Sequence, residues 1–148
     1  MSPVLLDASI YVASLRAGDP AALLSLRWVA PERPVWLSVV VLEELYAGAA
    51  PRDRRVVARL ERDFDRNGRI LVPTLSDWTQ AGMLLARLGA EFGYKQIGRG
   101  RLTNDALIAV SASRQGITIL TANERDFGRL NRFRPFLWAV VTLPSSFS

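Results

Sequence analysis

Short apolar runs alternate with amphipathic stretches along the whole chain. Val4, Leu5 and Leu6 follow Pro3 as an unbroken apolar triplet, the signature of a short buried strand. Ser9 then offers an N-cap for a helix through Ile10, Tyr11, Ala13 and Ser14. Pro20–Val29 is helical by composition. Val35–Val40 (VWLSVV), rich in β-branched and aromatic residues, predicts a second buried strand. Val41–Ala50 predicts a helix with Leu42, Leu45, Tyr46 and Ala49 on one stripe. Arg52–Arg66 reads as an amphipathic helix that turns Val56, Leu60 and Phe64 inward and ends at Gly68.

A third strand at Ile70–Val72 is closed by Pro73. Ser76 is placed to cap a longer helix whose inward period runs through Trp78, Ala81, Leu85 and Leu88. Gly93–Leu102, made of turn residues and Arg, reads as a loop. Thr103 or Asn104 caps a helix to about Arg114, which Gly116 ends. A strand at Thr118–Leu120, a loop at Thr121–Asp126 and a last strand at Phe136–Thr142 complete the pattern. Strands separated by helices imply right-handed crossovers, hence an α/β fold with a parallel sheet covered on both faces. No linker, repeat or low-complexity tract divides residues 1–148, so a single domain is expected.

In open sheets of this kind, sites form at the carboxyl ends of the strands. Several acids fall at such places. Asp7 follows the first strand, Glu43 and Glu44 open the helix after the second, and Asp126 lies in the loop after Thr118–Leu120. Asp105 opens LTNDALIAVSA, a helix otherwise almost wholly apolar. A capping or helix-dipole role accounts for Asp7 or Asp105 taken singly. Burying an unpaired carboxylate among Ala106–Val110 is costly, however, and the usual remedies are a partner or a metal.

Composition narrows the chemistry. The chain of 148 residues contains neither Cys nor His. Disulfides, thiolate chemistry, His-based acid–base mechanisms, Ser-His-Asp triads and Cys/His zinc sites are therefore excluded. Converging carboxylates repel one another, and their pKa values rise unless a cation neutralises them. Mg²⁺ or Mn²⁺ removes that conflict, polarises a phosphoryl oxygen and makes hydroxide available for in-line attack. The net charge of +5 comes from 19 basic against 14 acidic residues, nearly all the basic ones Arg, with Lys95 the sole Lys. Clusters at Arg52–Arg55, Arg99–Arg101 and Arg129–Arg134 suit a polyanionic partner. No apolar run is long enough to span a membrane, and MSPVLLD lacks the basic region and cleavage site of a signal peptide. A cytoplasmic location is the expectation.

Four segments, VLLDASIYV, SVVVLEELYAG, LTNDALIAVSA and TANERDF, resemble in order and spacing the motifs of PIN-domain ribonucleases, above all the VapC toxins of bacterial toxin–antitoxin pairs. The resemblance covers Val4 to about Val141. It implies a three-layer α/β/α sandwich with a mainly parallel central sheet, and a divalent-metal endoribonuclease that cuts RNA. It further implies a small antitoxin partner and a homodimer. Asp7 matches the family's first acid. Glu44, four residues before Gly48, matches the second, with Glu43 beside it where the family has a small or apolar residue. Asp105 matches the third acid. Thr121, Asn123 and Asp126 match the last motif, Asn123 standing where many relatives carry a carboxylate. Asp7, Glu44, Asp105 and Asp126, with Asn123 as a neutral ligand, are thus the expected metal site. Arg99 and Arg101, just before the helix of Asp105, are the expected contacts to RNA phosphates. The competing reading is a catalytically silent PIN-like module that binds a protein or RNA partner. A phosphoacceptor receiver domain fits less well, because the first strand ends in a lone Asp and Lys95 lies in a loop. A structure-specific DNA nuclease would be expected to carry added elements for gripping duplex DNA.

Overall fold

The computed structural model describes residues 2–17, 32–94 and 102–142. The helix expected at Pro20–Val29, most of the loop between Gly93 and Leu102, Lys95, Arg99 and Arg101 lie outside the described residues. In chain order the elements are β1 (Val4–Leu6), α1 (Ala8–Arg16), β2 (Val35–Ser38), α2 (Val39–Gly48), a 3₁₀ turn at Pro51–Asp53, α3 (Arg54–Arg66) and β3 (Ile70–Leu71). There follow α4 (Leu75–Phe92), α5 (Leu102–Arg114), β4 (Thr118–Thr121), α6 (Glu124–Phe133) and β5 (Trp138–Val140).

The five strands form one parallel sheet in the order β3-β2-β1-β4-β5. Leu5 of β1 pairs with Trp36 on one side and Ile119 on the other. β1 is therefore central, and Val4, Leu5 and Leu6 are wholly buried. The chain moves outward from β1 through β2 to β3, then returns across β1 to lay down β4 and β5. That reversal opens a crevice beyond the carboxyl ends of β1 and β4, where α/β sheets bind ligands. Helices cover the sheet in the expected α/β/α arrangement. α2 packs on α1, α3 and α5, and α4, α5 and α6 pack on one another.

Local chemistry moves several boundaries. β2 ends at Ser38 rather than Val40, because the Ser38 hydroxyl accepts the Val40 N–H at 3.1 Å and starts α2 at Val39. Glu43 and Glu44 therefore sit in the second turn of α2 rather than opening it. Thr74, not Ser76, caps α4 through a reciprocal capping box with Asp77. Trp78 is 55% exposed, the inward face of α4 running instead through Ala81, Leu84 and Leu88. Gly68 and Gly116, both at φ +67°, end α3 and α5 as expected. α6 begins at Glu124, inside the loop expected at Thr121–Asp126, and it places Asp126 in a first helical turn.

Candidate active site at the carboxyl ends of β1 and β4

Asp7 leaves β1 in extended conformation, and its N–H still donates to the Leu120 carbonyl of β4 at 3.0 Å. The next residue begins α1, so Asp7 rather than Ser9 is the helix cap. Its Oδ1 accepts the Ser9 N–H at 2.8 Å and also the Ser9 hydroxyl. Its Oδ2 accepts the Thr121 hydroxyl at 2.5 Å, across 114 residues of sequence. Thr121 Oγ1 in turn accepts the Asn123 N–H at 2.8 Å, and Asn123 Nδ2 donates to Asp126 Oδ2 at 3.0 Å. Ser9 Oγ accepts the Ala122 N–H at 3.1 Å. A continuous polar chain thus joins Asp7 to Asp126 over the ends of the two strands.

Asp7 is 5% exposed. Burial pushes its carboxyl above the usual range, against the lowering effect of the Ser9 and Thr121 hydrogen bonds. Among the described residues no Arg or Lys pairs with it. Among the described residues its ionised form is held by hydroxyl and N–H dipoles alone.

The other two acids come from neighbouring helices. Glu44 is half-buried, with Oε1 fully so, whereas Glu43 is exposed. Glu44, the acid selected by its spacing from Gly48, is thus the more enclosed of the two. Asp105, 7% exposed, sits in the first turn of α5 ahead of the buried run Ala106–Ala112. The structure brings Asp7, Thr121, Asn123 and Asp126 into one network, and places Glu44 and Asp105 on α2 and α5, which pack together. Among the described residues no three carboxylates converge closely enough to cage one metal ion. The donor set nonetheless fits a hard cation in kind. It is all oxygen, and Mg²⁺ is usually held by one or two carboxylates, with water and substrate phosphate completing its shell. The bracing roles of Ser9 and Thr121 were not legible from sequence; a hydroxyl at a strand end, one pleat from an acid, was the available signal.

The PIN-domain family model matches residues 4–132. The chain belongs to the PIN-domain family. Solved structures share this PIN fold over nearly the whole chain. VapBC2 from Rickettsia felis, bound to a DNA fragment from its promoter, contains a chain with a TM-score of 0.63 and 21% identity, covering 95% of this chain and 99% of that one. DNA-bound VapBC from Salmonella typhimurium gives 0.59 and 22%, over 95% and 98%. VapBC-5 from Mycobacterium tuberculosis, of the VapBC family of toxin–antitoxin systems, gives 0.54 and 24%, over 97% and 100%. A search of curated proteins finds no significant match.

Proposed function

We propose that this PIN domain is the toxin of a VapBC-type pair, a divalent-metal-dependent endoribonuclease that hydrolyses phosphodiester bonds in RNA. The observation that carries the reading is Asp7: buried, without a cation among the described residues, and braced by Thr121 and Ser9 at the crevice where the strand order reverses. A structural aspartate has little reason to be left in that state, whereas a ligand awaiting a cation does.

Asp7, Glu44, Asp105 and Asp126 would hold Mg²⁺ or Mn²⁺, with the Asn123 carbonyl as a neutral ligand. When bound, the ion supplies a polarised phosphoryl oxygen and a water of lowered pKa. The chain supplies orientation. The Thr121 and Ser9 hydroxyls fix the rotamer of Asp7, and the Asn123 amide fixes that of Asp126. With no His and Lys95 the single Lys, carboxylates are the side chains left to accept a proton near neutral pH.

That the similar solved structures are VapBC assemblies supports a cognate antitoxin as partner. A homodimer and a cytoplasmic site of action belong to the same reading. No described helix is long and apolar enough to cross a membrane. The spacing of the carboxylates favours one second reading, a catalytically silent module that binds RNA or a partner protein. Purified chain incubated with RNA and Mn²⁺ or Mg²⁺ decides between them. Cleavage that stops with EDTA is expected, and intact RNA at both metals would establish the silent module.

A further inference from the structure

α3 carries a second chemical feature on the face turned away from the sheet. Arg55, Arg59, Arg62 and Arg66 recur at spacings of three and four, Arg52 precedes them in the 3₁₀ turn, and all five are exposed. At 3.6 residues per turn the four on α3 fall within an arc of about 60° and form a ridge roughly 16 Å long. Val57 and Leu60, the buried residues of α3, lie on the opposite side. Among the described residues none of the five forms an ion pair. Among the described residues the acids of the helix form no ion pair with the ridge. Glu61 accepts the Tyr46 hydroxyl of α2 at 2.7 Å, Asp65 lies on the exposed flank about 60° from Arg62, and Asp63 lines a pocket of about 230 Å³ with Arg33, Val35, Leu60, Phe64, Asn67 and Arg69.

The composition of this face selects its partner. Every exposed position from Arg52 to Arg66 is charged, and only Asp65 is negative. A protein interface needs apolar or aromatic anchors at its centre, and a membrane-surface helix needs a bulky apolar face. This face offers neither. A row of guanidinium forks about one helical turn apart matches successive phosphates of a nucleic-acid backbone, which each fork can grip bidentately. α3 also packs on α2, the helix of Glu44.

We infer that the α3 arginine ridge is a docking surface for the phosphate backbone of RNA. The surface holds the substrate by charge, outside the acidic crevice that would repel it. The choice of RNA over DNA rests on the nuclease reading; the polyanion itself does not. The cluster Arg52–Arg55, which chain position alone ranks below Arg99 and Arg101, is the start of this surface.

The test is fluorescence anisotropy of a short labelled RNA hairpin with full-length protein in EDTA, across a salt series. Arg55→Gln/Arg59→Gln/Arg62→Gln, three solvent-facing changes, should weaken binding about 10- to 100-fold and reduce the slope of log affinity on log salt by about 2 to 3. The triple Lys variant should recover most of both, which loss of a packing role would not allow. Unchanged affinity and slope in the Gln variant would overturn the inference. So would undiminished RNA binding together with loss of binding to poly-L-glutamate, which would reassign the ridge to an acidic protein. Cleavage under Mg²⁺ separates the two proposals. A protein that cuts no RNA yet binds it through the ridge sinks the nuclease reading alone. A protein that cuts RNA with ridge-independent affinity sinks the ridge alone.

Discussion

Two buried aspartates at helix starts have been treated in opposite ways. Asp77, 2% exposed, sits in the first turn of α4. It accepts the Thr74 N–H at 2.9 Å and faces the Arg114 guanidinium, whose Nε lies 3.0 and 3.1 Å from its two oxygens. Its charge is balanced inside the fold, and the pair ties α4 to the end of α5. Asp7, 5% exposed, caps α1 and, among the described residues, receives only hydroxyls and N–H groups. Its carboxyl is pushed upward by burial, and no described cation answers it. The difference separates a carboxylate paired inside the fold from one that no described cation answers.

Exchanging charge for amide at each site should break the comparison in opposite directions. Asp7→Asn or Asp105→Asn should reduce RNA cleavage by at least about 10²–10³-fold, the scale of losing a main electrostatic group at an active site. Circular dichroism should remain native, since Asn caps a helix nearly as well as Asp. Full activity in either folded variant would remove the metal-site assignment. Asp77→Ala should do the reverse. It removes a capping box and strands a partly exposed Arg114, for a loss of about 2 kcal/mol. On a chain of this size that is a fall in Tm of about 4–8 °C, while cleavage by the folded fraction is largely kept.

The adjacent acids of α2 sharpen the contrast at one-residue resolution. Glu44→Gln should lower activity about tenfold or more, on the scale of a weakened metal ligand, and Glu43→Gln, at an exposed position, should hardly change it. The reverse order would show that the exposed acid is the functional one.

The smallest effect is one of pH. Folding raises the Asp7 carboxyl above its ordinary 3.8. Its contribution to stability is therefore fully present below 3.8 and is lost as pH rises through the folded value. Metal-free wild-type protein should lose stability relative to Asp7→Asn across that window. Added Mn²⁺ should close the gap above it. Melting curves of both proteins, with and without EDTA, read this directly. A gap that does not change with pH would mean the Asp7 carboxylate is already compensated.

Much of the fold was legible because local and tertiary preferences agree. Val4–Leu6, Gly68 and Gly116 each carry one unambiguous signal. Where the two disagree, the local signal misleads. Val39 and Val40 look like strand, but the Ser38 cap sets the helix start. α6 hides behind Arg, Asn and Gly, since only Phe127 and Leu130 are buried and its packing on α4 and α5 supplies the rest. At the candidate site, Asp105 stood out as a charge in an apolar run. The link from Asp7 through Thr121 to Asn123 did not, because no local pattern announces a contact between residues 114 positions apart.

The double duty of Asp7 has a genetic consequence. An Asp codon becomes an Asn codon by one nucleotide change, and Asn still serves as a helix cap. Under selection against the activity proposed for this chain, that change offers an escape in which the polypeptide remains folded and abundant. Alleles silenced in this way would be overlooked by any survey that scores only truncation or loss of expression.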